Sequence, residues 1–411
     1  MSERDQIRAR TMRRQTPTLA THGIEVVHDH GAVHDHGPVE TPRGVVKYVL
    51  WLLIPLIVAT VLGMVWLWPR TDAPSLGHVE YATAVVEQIR PCEPAMADCQ
   101  TVIAKVTTDA YQDDLAAFNL YAGNAAPVLE PGTPVWLNVE NAGDSTTFSF
   151  VDIKRDRPLM ILVLVFAAAV VLLSRWKGVA ALAGLAVSIG ILAVFVLPAL
   201  ILGAPPIPVA AVGAAAIVIA SMGLAHGFNV RTGVALTGAV IALLLTALLG
   251  TAFTAAASFT GIGSEDAWYL QNSPATAAID FRGLFLAGLV IGALGVLDDV
   301  TVTQAAAVWE VRRADPTIPL RRLYAAGMRV GRDHVAATVN TLVLAYIGAA
   351  LPLFLILIMS EAPASQSLTT ELVAQEVVRS LVGGLGIVAA VPLTTFMAAW
   401  VLTRKADAAA A

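Results

Sequence analysis

Two adjacent carboxylates, Asp298 and Asp299, close a long apolar run that ends Gly295-Val296-Leu297. An acid near the centre of a membrane helix costs about 3 kcal/mol, so ionisable groups there usually carry function. Helical spacing puts Gly288, Gly292, Gly295 and Asp299 on one stripe, with steps of four, three and four. Small residues let a neighbouring helix approach closely. Asp299 is therefore expected to face the bundle, with Asp298 turned about 100° away. A later segment enters as Gly331-Arg332-Asp333-His334, followed by Asn340. In it His334, Thr338, Thr341, Ala345, Gly348 and Pro352 share a small or polar stripe. A third segment exits at His226. All lie at similar depth, which predicts one polar cluster of Asp298, Asp299, Arg332, Asp333, His334 and Asn340, joined by His226. Its chemistry would be a proton or cation relay, since imidazole titrates near neutral pH. The competing reading is structural, with Asp299 and Arg332 latching two helices together.

Two further groups invite chemistry. His28-Asp29-His30-Gly31 recurs as His34-Asp35-His36-Gly37. His28, His30, His34 and His36 with two carboxylates suit zinc, nickel or copper, or else form a solvated tail. The two cysteines, Cys92 and Cys99, share one segment. No phosphate-binding loop, nucleophile-elbow serine or His-Glu-x-x-His pattern occurs, so neither catalysis nor a cofactor is expected.

These groups must be positioned by a membrane fold. Of 411 residues, 56% are hydrophobic and only 14% charged, with a mean hydropathy of +0.70. Soluble domains run near one quarter charged, so a soluble enzyme, a disordered chain and a nucleic-acid binder are excluded as whole-chain readings. A hydrocarbon core needs roughly 20 helical residues. Eight stretches qualify, near 46–68, 158–174, 179–201, 208–225, 232–256, 283–303, 335–359 and 379–402. With both termini in the cytoplasm, eighteen of the 26 basic residues fall inside, six of them in 312–332, as the positive-inside rule requires. The first stretch reads as an uncleaved anchor, because Trp66-Leu67-Trp68-Pro69 lacks small cleavage-site residues. The 304–332 loop mixes apolar residues with arginines and suits an amphipathic helix at the interface. Prolines 198, 352 and 392 mark places where helices break.

Residues 1–45 carry no apolar periodicity and are expected to be disordered and cytoplasmic. Residues 69–156 form the one sizeable extracytoplasmic segment. Val79–Ile89, Thr101–Thr107, Pro134–Val139 and Thr146–Ile153 read as strands of a small β-barrel or sandwich. On that side of the membrane a Cys92–Cys99 disulfide persists. Its short loop would contribute ~2.5 kcal/mol by chain entropy.

The runs 292–300, from Gly292 to Val300, and 326–334, from Ala326 to His334, resemble the signature regions of the YibE/F-like bacterial membrane proteins. So do 340–348, from Asn340 to Gly348, and Val391-Pro392-Leu393-Thr394. The resemblance covers about 155–405 and, more loosely, 45–155. It implies a permease-type architecture without naming a substrate. The chain departs from it in carrying a second acid beside the single Asp expected of the family.

The sequence thus predicts an all-α polytopic protein of a bacterial plasma membrane with an outer β domain. Its units are a tail (1–45), an anchor (46–68), the β domain (69–156), a seven-helix core (157–405) and a short cytoplasmic end (406–411). The leading function is a secondary transporter or permease for a small solute or ion. The alternatives are a non-transporting envelope factor whose outer domain binds a partner protein, and a metal-handling protein using the His-rich tail. Lipid is the expected surrounding; nucleic acid is not an expected partner, and the sequence does not set an oligomeric state.

Overall fold

A computed structural model describes residues 43–72, 79–92, 99–121, 127–142, 145–360 and 363–409. The His-rich tail, with His28, His30, His34 and His36, lies outside them.

The β domain follows from alternating strands. Strands β1 (Glu80–Pro91), β2 (Cys99–Val106), β3 (Leu115–Tyr121), β4 (Pro134–Ala142) and β5 (Ser145–Ile153) make one antiparallel sheet. Their order is β3-β2-β1-β4-β5, and β3 approaches β5, so the sheet is nearly closed. Inward positions such as Ala84, Val86, Val102, Ala104, Phe118, Val135 and Leu137 form its core. Outward neighbours such as Glu87, Lys105 and Asn119 meet water, the two-residue period of a half-buried strand. The β1–β2 register shifts between Val86 and Gln88, a bulge that bends β1. Gly132 takes φ 93° in a turn closed by Thr133 N–H donating to the Glu130 carbonyl at 3.0 Å. That backbone favours glycine, with Pro131 ahead of it.

β3 was not visible in the sequence pattern, because its buried positions are held by Ala116 and one Phe118 rather than a β-branched run. Cys92 and Cys99 form the disulfide, with Cα atoms 5.2 Å apart. It staples the end of the β1–β2 hairpin at which the chain passes from β1 to β2. Cys92→Ser/Cys99→Ser should lower the stability of the barrel by ~2.5 kcal/mol, read as an earlier urea transition in its Trp136 fluorescence. An unchanged transition would show that the staple contributes nothing.

The helices are α1 (Arg43–Leu67), α2 (Asp156–Ser174), α3 (Trp176–Ile201), α4 (Pro206–His226), α5 (Val230–Ala256) and the short α6 (Glu265–Gln271). Then come α7 (Phe281–Ala314), α8 (Leu320–Ala349), α9 (Leu351–Met359), α10 (Ala364–Thr369) and α11 (Glu371–Ala409). Among the described residues, six helices are long and apolar enough to cross a membrane, seven if α8 and α9 count as one bent span. An apolar stretch in α1, Leu53–Leu67, is shorter than that length.

The central helix is α7. It packs against α4, α5, α8 and α11, with α3 lying on α4. Leu289, Leu297, Val300 and Gln304 are buried at its contacts. In lipid, packing and internal hydrogen bonds hold helices together in place of a hydrophobic force. Gln304 shows how: its amide donates to the Gly327 carbonyl at 2.9 Å and to Thr395 Oγ1 at 2.7 Å, tying α7 to α8 and α11. Gly331 makes the same junction possible, since a Cβ there would strike Val391 and lie 2.9 Å from Gln304 Oε1.

The prolines act differently from one another. Pro352 lies just past a 62° bend between α8 and α9. Pro392 sits inside an unbroken α11, and Pro198 follows a π-turn at Leu192–Val196 inside α3. The 304–332 segment is not a separate interfacial helix. It is the end of α7 and the start of α8, joined by a turn in which Arg312 donates to the Ile318 carbonyl at 2.7 Å. Trp309 and Leu323 are buried there, so the apolar residues serve a helical hairpin.

Candidate functional site

The site is built on three helices. Asp298 projects from α7 towards α4, where Ser221 Oγ donates to its Oδ2 at 3.0 Å. The other oxygen, Oδ1, is buried and has no hydrogen-bond partner. An unpaired buried acceptor is costly, and this oxygen is sealed within the protein rather than open to solvent. Gly184 of α3 lets the backbone at Ser221 come close, a Cβ there lying 3.3 Å from Ser221 Cα. Between the three helices lies an open pocket of about 480 Å³. Its polar lining is Ser188 of α3, Ser221 and His226 of α4, and Asp298, Asp299 and Thr303 of α7; the rest is aliphatic, such as Leu185 and Met222.

The end of α4 is fixed by local chemistry. Gly227 ends the helix at φ 71°, and Asn229 caps the next one. Its Oδ1 accepts from Thr232 N–H at 3.0 Å and its amide donates to the His226 carbonyl at 2.9 Å. His226 is thereby held at the pocket's rim.

The sequence-derived cluster divides in two. Asp298, Asp299 and His226 share the pocket. Arg332, Asp333, His334 and Asn340 do not line it; all four are exposed on α8. Among the described residues, neither acid forms an ion pair with Arg332 or any other cation. The roles of the two acids are also exchanged relative to the stripe argument. Asp298 is the half-buried one and Asp299 the exposed one, and Gly288, Gly292 and Gly295 are exposed with it. The small-residue stripe is not a close-packed seam: Gly295 and Asp299 line the pocket, a Cβ at Gly292 would lie 2.7 Å from the Tyr346 hydroxyl of α8, and Gly288 has open space beside it.

Ser221 and Ser188 escaped the sequence reading. A lone serine inside an apolar run is ordinary, and nothing in the chain says which helices become neighbours. Two other polar groups were equally hidden. Glu371 opens α11 by accepting from the backbone N–H groups of Thr260 and Gly261, both at 2.8 Å. Glu376 pairs with Arg379 at 2.7 Å one turn on. Among the described residues no three His, Cys, Asp or Glu side chains converge as a metal site would require.

A family model described as YibE/F-like protein matches residues 162–404. No curated protein matches the chain, and no solved structure does.

Proposed function

Because the chain belongs to the YibE/F-like protein family, we propose that it is a multi-pass protein of a bacterial plasma membrane that moves a small solute or ion across the bilayer. One observation carries the reading: a half-buried carboxylate, Asp298, among the residues that line a roughly 480 Å³ pocket between apolar helices. Intramembrane acids facing a cavity mark ion and substrate pathways in general. Asp298 is the primary ligand, Ser221 orients it, and Asp299, His226 and Thr303 supply the polar rim. No catalytic step and no cofactor is assigned to it.

The architecture is eight spans: α1, α2, α3, α4, α5, α7, the bent α8–α9 pair, and α11. Both ends are cytoplasmic and the β domain extracytoplasmic. The Arg-rich α7–α8 hairpin supports this direction. Cysteines placed singly at Ser264 and Ala314, in a chain whose Cys92 and Cys99 are otherwise paired, should react with a membrane-impermeant maleimide from opposite sides. Reaction of both from the same side refutes the topology.

Transport itself is tested in liposomes. Purified protein should carry ions down an imposed gradient of H⁺, Na⁺, K⁺ or Zn²⁺, read by an entrapped dye, where protein-free vesicles do not. A flat trace for every ion and for a panel of small solutes would reject the reading. The second reading, an envelope factor acting through its outer domain, is favoured by that domain's separate core. It predicts that changes to the barrel surface harm growth while changes at Asp298 do not. Deleting residues 20–40 tests the metal reading through metal tolerance.

A further inference from the structure

Lipid offers no hydrogen bonds, so a polar side chain facing outward from a membrane helix needs a partner. Helix α8 breaks this rule at Asn340. One side of it, with Gly331 and Leu342, is buried against the bundle. The opposite side presents Asp333, Ala337, Asn340 and Leu344, all exposed. Their spacing of four, three and four is that of a helix–helix seam. Arg329 and Arg332, also exposed, flank Asp333 within about one turn. Among the described residues, none of these side chains has a hydrogen bond or ion pair. Asn340 lies seven residues beyond Asp333, roughly 10 Å deeper along the helix, so it cannot reach the interface as a lysine or arginine does.

We propose that this face of α8 is where a second copy of the chain docks, with Asn340 at the twofold axis. Two copies inserted with the same topology are related by an axis along the membrane normal, so each residue lies at the depth of its counterpart, with Asn340 on the axis and Asp333 displaced from it towards the other copy's arginines. The face is complementary to itself under that operation. A carboxamide is both donor and acceptor, so one Asn340 satisfies the other. Asp333 of each copy meets Arg329 or Arg332 of the other, giving two reciprocal ion pairs. Ala336, Ala337 and Thr341 are small enough for close approach. A different membrane protein would need to supply both an amide and a mixed-charge pair at matching depths; a second copy supplies them by symmetry. This inference is separate from the transport reading, and either can fail alone.

Single cysteines at Ala337 and Leu344 should give a disulfide-linked dimer when native membranes are oxidised with copper–phenanthroline. Leu342→Cys, on the buried side, and Leu162→Cys, on the exposed α2, should give at least severalfold less. Asp333→Arg should weaken the Leu344→Cys cross-link, and adding Arg329→Asp and Arg332→Asp should restore it. Equal cross-linking at Leu162, or a cross-link to a different protein, overturns the proposal. So does rapid modification of Ala337→Cys by a charged, impermeant thiol reagent, which would make the face the wall of a water-filled cavity. Should the charge variants fail to insert, native mass spectrometry of the unaltered protein decides: a dimer supports the proposal and a monomer overturns it.

Discussion

Asp298→Asn should reduce ion or solute flux in liposomes roughly a hundredfold, the scale on which loss of a proton-transfer group acts, while folded protein reaches the membrane in normal amount. The change is nearly isosteric. The amide oxygen still accepts from Ser221, so the α4–α7 contact at 3.0 Å survives. What disappears is the charge and the lone pairs of Oδ1, the buried oxygen that has no partner. Asp299→Asn should have a smaller effect, because that side chain is exposed at the pocket's rim whereas Asp298 is half-buried. The contrast matters more than either result alone. Equal losses would mean that the acids act as an undifferentiated pair, and a larger loss at Asp299 would favour the stripe argument over the geometry.

Gly331→Leu should cost about 2–4 kcal/mol, combining overpacking of a tight junction with the loss of Gln304 hydrogen bonds. A side chain there collides with Val391 of α11 and with the Gln304 amide. It pries α8 from α7 and α11 together. In detergent the midpoint of thermal unfolding should fall by on the order of 10 °C. Gly288→Leu is the internal control. It is also a glycine on an apolar helix, yet a Cβ there meets nothing within 4 Å. Its midpoint should stay close to that of the unaltered protein. If both glycines respond alike, the junction around Gln304 is not what holds α8 in place.

The sequence made depth legible and azimuth not. Runs of 17 or more apolar residues, bounded by charges such as Arg157, Arg175 and Lys177, integrate a strong signal, and helices α2 to α5, α7 and α11 fall where those runs lie. The same reasoning placed Asp298, Asp299, His226 and the Arg332–His334 turn at one level. Rotation about each helix axis depends on which helices become neighbours, and no residue states that. Thus Asp298 found Ser221 of α4, and the polar residues of α8 turned outward. Small residues usually mark a packing face, yet on the glycine stripe of α7 Gly295 and Asp299 line the pocket and Gly288 meets nothing. In the β domain the disulfide and the strongly β-branched strands were legible. Strand β3 was not, since Ala116 and Ala117 carry little strand signal of their own.

A lipid-soluble carbodiimide reaches carboxyl groups from the apolar phase and leaves a stable adduct that peptide mass mapping can place. The pocket between α3, α4 and α7 predicts an adduct on Asp298, absent in Asp298→Asn and slowed by Ser221→Leu, which would fill the approach. An adduct on Asp299 with Asp298 spared would contradict the account, because the exposed acid at the rim, not the half-buried one, would then be the reactive carboxylate.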